Sequence, residues 1–468
     1  MTEAVAVRKT FFNRVALPVF SWGLPFHSLI IAMLFGGLGL AITTARTLAA
    51  WKEAFVIGLI LLVILRAVSG RGPRVGVHWI DLAVLSLIGI AVVFLTTGRV
   101  LFQIELPSAA GLYGIRDIAF FLLLYFVGRA SPEIADDPNT LRRLYIVALL
   151  TSAIAVVEWL LVTPDMLVLL GVASYFQDFL NVSAFTTGND FGLPSNYWSR
   201  IGNVEVQRAG SVYLSSQGFA IPFLILMPVA TAFVFGAGRR VKASMKIEYA
   251  IIWMGLLLSI TRMTIFVCML QLILVVIMLR KPEWAVAGLF VAGTALLLAI
   301  FTVPNLGGFL WDTLTGQTGS NASHSKDFAN GIAAFIEHPF GAGLGTTDQT
   351  AVRAGLTPLT ADNGYLKYAV ELGIEGLIAH LLIYAGILAT SFKVARKAHT
   401  QNRRLLGTVV FFTTIGVMLN AMTGVVFNSA VLAYLYFWFA GSVVSISQLE
   451  QVPKAVRQQS QRLELSAA

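Results

Sequence analysis

Cysteine is almost absent: the 468 residues contain one, Cys268, inside an apolar run. A lone cysteine excludes an intramolecular disulfide framework and a cysteine-based zinc site. Charge is scarce too. Asp, Glu, Lys and Arg make up 12% of the chain, against roughly a quarter in soluble domains, while hydrophobic residues make up 57%. A soluble globular protein is thereby excluded. Short alternating segments, the mark of a transmembrane barrel, are missing. Neither an internal repeat nor an inverted transporter repeat is evident. No His–Glu cluster has metal spacing, and the single thiol has no partner histidine, so no metal and no cofactor is expected. The first apolar run lacks a small-residue cleavage site and reads as a retained helix.

What is present is a series of long, continuous apolar runs. They predict an all-α polytopic membrane protein in which the whole chain, 1–468, is one integral membrane domain. A span needs about 20 apolar residues, and on that rule there are about twelve. They lie near 16–44, 54–68, 79–97, 111–128, 143–164, 215–236, 248–261, 263–280, 283–303, 363–392, 405–426 and 429–447. The net charge of +9 is read as basic loops holding cytoplasmic ends inside, with no nucleic-acid partner. Arg8, Lys9 and Arg14 precede the first span; Arg66, Arg71 and Arg74 follow the second; Arg129, Arg142 and Arg143 follow the fourth. Arg239, Arg240, Lys242 and Lys246 follow the sixth, Arg280 and Lys281 the eighth, and Lys393, Arg396, Lys397, Arg403 and Arg404 the tenth. Twelve spans put every cluster, both termini and the 448–468 tail in the cytoplasm. Two long loops, 165–214 and 304–362, then face outward, where loops of such length are usually functional.

Ionisable residues within or beside spans are costly, so each is a candidate site residue. Arg116 and Asp117 lie near the outer end of the fourth span, Arg262 at the tight outer turn S-I-T-R, and Arg208 closes the first outer loop. Glu158 sits within the fifth span. The bland alternatives are an Arg116–Asp117 ion pair, an interfacial anchor at Arg262, and a hydrogen bond from Glu158 to a neighbouring helix. Taken together, three outer arginines suit a dense anion, because a guanidinium fork binds phosphate oxygens in pairs and keeps its charge when partly desolvated. In the second loop, Ala329 to Glu337 predicts a short amphipathic helix stopped by Pro339. The G-A-G-L-G run at 341–345 is read as turn chemistry, not a phosphate cradle, because it follows a helix instead of preceding one. His338 is read as a structural hydrogen-bonder.

Four stretches in order resemble the O-antigen ligase and polymerase superfamily of bacterial inner-membrane glycosyltransferases. S-I-T-R at 259–262 is similar to its Ser-Arg signature, and E-H-P-F-G-A-G-L-G at 337–345 to its His-Pro-hydrophobic-Gly run. A-D-N-G-Y-L-K-Y-A-V-E-L-G-I-E-G-L at 361–377 is similar to its His/Asp-Asn-x-Tyr-Leu…Glu segment, and R-A-G-S-V-Y-L-S-S at 208–216 matches more weakly. The resemblance covers roughly 100–380. It implies a GT-C-like membrane fold with a large periplasmic loop, acting without metal on glycans carried by undecaprenyl diphosphate. It also implies a periplasmic site in the inner membrane, with a flippase and a chain-length regulator as further partners. Ligases of the family typically carry His before the Asn; this chain has Asp362, which favours a polysaccharide polymerase over a ligase. A ligase-type transferase and a transporter without chemistry stay open.

On this reading Arg262 and Asp362 are the catalytic pair, the first holding the leaving diphosphate and the second taking the acceptor's proton. Arg116, Arg208, Asn363, Tyr365 and His338 contact diphosphate or sugar. Glu371 and Asp117 support them from behind, Glu371 through an arginine.

Overall fold

The computed structural model describes residues 10–451, apart from 74, 102–105, 183–190, 202–203, 237–240, 287, 290–292, 294–306, 309–314, 316–318 and 361. Arg8, Lys9, Arg74, Arg239, Arg240, most of the expected ninth span and the tail after 451 fall outside the described residues.

The apolar runs form helices. In chain order, α1 is Phe12–Gly37, α2 Ile42–Val68, α3 Trp79–Gly98, α4 Ser108–Arg129, α5 Asn139–Leu161 and α6 Ser216–Gly236. Then follow α7 Ala243–Leu258, α8 Arg262–Met278, α9 Gly319–Glu337, α10 Asp348–Arg353, α11 Gly364–Lys397, α12 Gln401–Asn420 and α13 Ala430–Leu449. Among the described residues, eight of these are long and apolar enough to cross a membrane: α1 to α6, α11 and α13. Helices α7 and α8 are shorter, and α12 opens on the polar Gln401-Asn402-Arg403-Arg404. The expected all-α fold has one exception. The first long loop carries a hairpin, β1 Trp198–Ile201 and β2 Val204–Gln207, antiparallel with Trp198 opposite Gln207.

Burial separates the centre of the bundle from its periphery. The apolar stretch of α13 is 94% buried and that of α2 only 11%, so α13 is the core helix and α2 lies at the periphery. Helix α13 lies against α4 through small residues. A Cβ on Gly441 would stand 1.9 Å from the Tyr125 carbonyl oxygen, and one on Gly128 2.0 Å from that of Trp438. Small residues of this kind let membrane helices approach closely where no hydrophobic force draws them together. Nearby, Arg129 is buried and fully engaged. Its Nε lies 2.9 Å from Asp81, and its terminal nitrogens donate to Ser445, the Gly76 carbonyl and Gln448.

At that same end of the bundle Arg403 pairs with Asp136 at 2.7 Å and with Glu450 at 3.3 Å, and Arg143 pairs with Asp137 at 2.7 Å. The loop after α4 is thus tied to the start of α12 through Asp136 and Arg403.

Helix α11 is broken. Gly373 has φ 71° and ψ −170°, a conformation open essentially to glycine alone. The 339–343 loop stands in for the missing turn. Ala342 N donates to Val370 O at 2.7 Å, Gly343 N to Glu371 O at 3.2 Å, and Ile374 N to Pro339 O at 3.0 Å. Groups orphaned by the break therefore find partners, as buried backbone must. Gly373→Ala should cost roughly 1–3 kcal/mol, since a Cβ would also sit 2.6 Å from Phe340 C. Thermal unfolding in detergent reads this, and an unchanged midpoint would mean that the break is not held as described.

Candidate active site

The first centre is built on the start of α11. Asn363 caps the helix: its Oδ1 accepts from Tyr365 N at 3.0 Å and Leu366 N at 2.9 Å, while its Nδ2 donates to Met422 O at 3.0 Å. The cap occupies the oxygen and one of the two N–H groups of the amide that the sequence assigns to sugar contact. Gly364 N donates to Ala421 O at 2.8 Å, so the α11 start is pinned to the end of α12. Asp362 stands just before the cap, half-buried. Tyr365 points the other way along the protein, donating to Met418 O at 2.7 Å.

One turn into α11 lies Lys367, 1% exposed. Its ammonium is 2.5 Å from Asp348 and 3.6 Å from Glu371, one turn further on the same helix. Glu371, fully buried, also accepts from Gly345 N at 2.7 Å and from the Thr347 hydroxyl. The arginine expected as its partner is a lysine. Asp348 in turn accepts from Thr350 N at 2.6 Å, and the Thr350 hydroxyl donates to Asp117 at 2.7 Å. Asp117 also pairs with Arg116 at 3.0 Å, and the Arg116 guanidinium lies 5.8 Å from the Tyr113 ring centre. The ion pair of Arg116 and Asp117 therefore forms, but it is one end of a polar chain running through α10 into α11. The G-A-G-L-G run is a turn, as read, and it delivers an amide to that chain.

The second centre lies where the first long loop meets the α7–α8 turn. The β2 strand ends at Gln207, whose carbonyl accepts from the Trp159 indole at 3.0 Å. Arg208 N then donates to Tyr197 O at 2.7 Å and Ala209 N to Leu258 O at 3.0 Å. Glu158 accepts from Gly210 N at 3.1 Å and from Ser211 N. Its partner is thus the loop backbone, not a neighbouring helix as expected. Fixed in this way, Arg208 donates through Nε to Ser259 O at 2.8 Å and through a terminal nitrogen to Thr261 Oγ1 at 2.9 Å. Arg262 is the first residue of α8 and its charge bears on Arg208. Burial, and next the Arg262 charge, push Arg208 down to about 10, so it stays cationic at neutral pH. Two neighbouring guanidiniums at a helix N-terminus make a strongly anion-attracting corner.

The two centres are joined by short steps. Asn420, at the end of α12, donates to Thr264 of α8 at 2.9 Å, and the next two residues receive Gly364 and Asn363. The α8 start and the α11 start, which Asp362 directly precedes, are therefore both tied to the end of α12. Arg116 belongs to the chain and not to the corner. His338 is exposed beyond the end of α9, away from the buried polar groups. Lys367, Asp348 and Thr350 are the residues that sequence reasoning missed. The one-turn spacing of Lys367 and Glu371 allows a pair on one helix face, but it points to neither Asp348 nor Thr350.

No His, Cys, Asp and Glu cluster able to hold a metal occurs among the described residues. Lys367→Met should cost about 3–5 kcal/mol, because it leaves two buried carboxylates without their cation. In a double-mutant cycle of thermal unfolding, adding Asp348→Asn should recover part of that loss. Additive losses would show that the pair does not interact.

Residues 249–381 match the family model for O-antigen ligase. A search of curated proteins finds no match. The matched segment contains Arg262, Asp348, Asp362, Lys367 and Glu371, and leaves Arg116, Asp117 and Arg208 outside it. Its members are glycosyltransferase-like enzymes acting on lipid-linked glycans. Residues 249–381 of this integral membrane protein are thus similar to the O-antigen ligase family, which supports the expected O-antigen ligase and polymerase superfamily.

Proposed function

We propose that the protein is a polysaccharide polymerase of the bacterial inner membrane, joining glycan repeat units carried on undecaprenyl diphosphate at the periplasmic face. What supports this reading is the Arg208–Arg262 corner at the α7–α8 turn, tied through the end of α12 to the α11 start that Asp362 precedes. Both substrates are lipid-anchored at a membrane surface, so chemistry on their sugars belongs at the helix ends. Transporters instead place ionisable groups near the midplane.

In the proposed reaction the donor's diphosphate rests against Arg262 and Arg208. The acceptor's sugar hydroxyl attacks the anomeric carbon from the opposite face while the bond to the diphosphate oxygen breaks. Negative charge grows on the leaving diphosphate, and fixed guanidiniums stabilise it, so that no metal is called for. The hydroxyl proton passes to Asp362, and the anomeric centre is inverted. Arg116 binds the acceptor side, with Asp117, Thr350 and Glu371 holding it from behind. Asn363 and Tyr365 act by placing Asp362. The basic clusters at the other end face the cytoplasm in this reading, and the membrane holds about twelve spans. The family description favours a second reading, a ligase moving a finished glycan onto lipid A–core or protein. Asp362 in place of the usual His weighs against it.

Sizing surface and lipid-linked glycans in a deletion strain separates the two: a polymerase mutant keeps single repeat units, whereas a ligase mutant accumulates full-length polymer on the lipid carrier. Loss of neither pool would end both readings. In purified protein, Arg262→Ala should lower turnover by roughly 10²–10³-fold. Arg262→Lys should restore little, since the bidentate fork is gone. Near-normal turnover in the lysine variant would remove the diphosphate-fork role, and full activity in Asp362→Asn would leave Asp362 no part in proton transfer.

A further inference from the structure

Helix α9 has three distinct faces. At about 100° per residue, Gly331 and Ala334 share one side and are buried. That side packs on the α11 start: a Cβ on Gly331 would lie 2.7 Å from Leu366 and 2.9 Å from Thr360 Oγ1. Lys326, Asn330 and Glu337 form a second, exposed and polar side. The third side carries Phe328, Ile332 and Ile336 within a sector of about 80°, and they are 49%, 38% and 72% exposed. Phe340, just past the helix, is 62% exposed. Large apolar groups lined up on one exposed face mark a contact surface.

The depth of this face follows from the break in α11. Ile374 to Lys397 gives about 36 Å of helix, enough alone for the hydrocarbon core of about 30 Å. Its far end carries Lys393, Arg396 and Lys397, and so ends in water. The hydrocarbon boundary at the near end therefore falls close to Gly373. Pro339 and Phe340 dock at that level, through Ile374 N to Pro339 O at 3.0 Å. Below them Ile374, Ile378, Leu381 and Leu382 are 37–50% exposed and face lipid on the spanning half of α11. The exposed stripe of α9 leads into Pro339 and Phe340, which dock at this level.

We propose that α9 lies in the leaflet at the site end, with Phe328, Ile332 and Ile336 among lipid acyl chains and Lys326 and Asn330 toward water. Such a helix with a polar face and a large apolar one is suited to the membrane interface. The fold supports it from the protein side, so the bilayer completes the packing of a loop helix that the bundle covers on one face only. The placement of α9 stands whether or not the polymerase reading holds.

The test uses the full chain in nanodiscs of phosphatidylethanolamine and phosphatidylglycerol, with Cys268→Ala as background. Nitroxide labels are placed at Ile332→Cys, Ile336→Cys and Asn330→Cys, and their collision rates with oxygen and with a neutral nickel chelate are compared. Labels at 332 and 336 should favour oxygen several-fold over the chelate, and the label at 330 the reverse. Phe328→Cys supplies the same reading should an isoleucine variant fail to fold. Chelate access at 332 and 336 equal to that at 330 would overturn the proposal by placing the stripe in water. Shielding from both reagents would overturn it by placing the stripe against protein, a second copy included.

Discussion

One buried ammonium organises the region on which the site depends. Lys367 is buried, and such a charge is tolerated only with counter-charges and hydrogen bonds around it. Asp348 and Glu371 supply the charges. Because Asp348 begins α10 and Glu371 holds the 345–347 backbone, the same ammonium fixes the loop segment onto α11. Through Thr350 and Asp117 the constraint reaches Arg116. Replacing the ammonium would thus disturb groups on three elements, although Lys367 itself is fully enclosed.

The second centre uses a different device. Here a carboxylate, Glu158, holds backbone amides and a cation, Arg208, is braced by a carbonyl and a hydroxyl. Neither of these two guanidinium contacts of Arg208 is to a carboxylate, so its positive field is not neutralised by them. That difference matters electrostatically: the Lys367 chain sets two cations against three carboxylates, whereas Arg208 is braced by a carbonyl and a hydroxyl. In the proposed reaction the corner would serve the leaving group that gains negative charge, and the chain would keep the site's shape.

Much of this is legible in the residues, and the rest is hidden for physical reasons. The spans announce themselves through composition, since a soluble fold has little use for about 20 apolar residues in a row. Arg116, Arg208 and Arg262 stand out because charge beside a span is costly. Lys367 does not stand out, because a lysine just after a loop reads as an interfacial anchor. Its burial comes from α10 folding over it, a long-range contact that spacing alone does not reveal. The break in α11 is hidden for a similar reason: glycine is common in membrane helices, and only the docked 339–343 loop forces Gly373 out of the helix. Helix α9 begins ten residues earlier than its apolar pattern implies, over Gly319-Ser-Asn-Ala-Ser-His-Ser, where weak helix formers give no signal. Glu158 is recognisable as out of place, but its partners lie some fifty positions away in the chain.

The splinted break also sets where the outer segment tolerates a change in length. From Pro339 to Asp348 nearly every step is counted: carbonyls of α11 take amides at 342 and 343, Glu371 takes the amide at 345, and Lys367 takes the carboxylate at 348. One inserted residue would shift all later partners out of register. Past α10 the chain turns through Gly355, which has open space around it. Natural variation in loop length, and any engineered insertion of a tag, therefore has its room at 354–358 and not in the run of glycines that looks more flexible on paper.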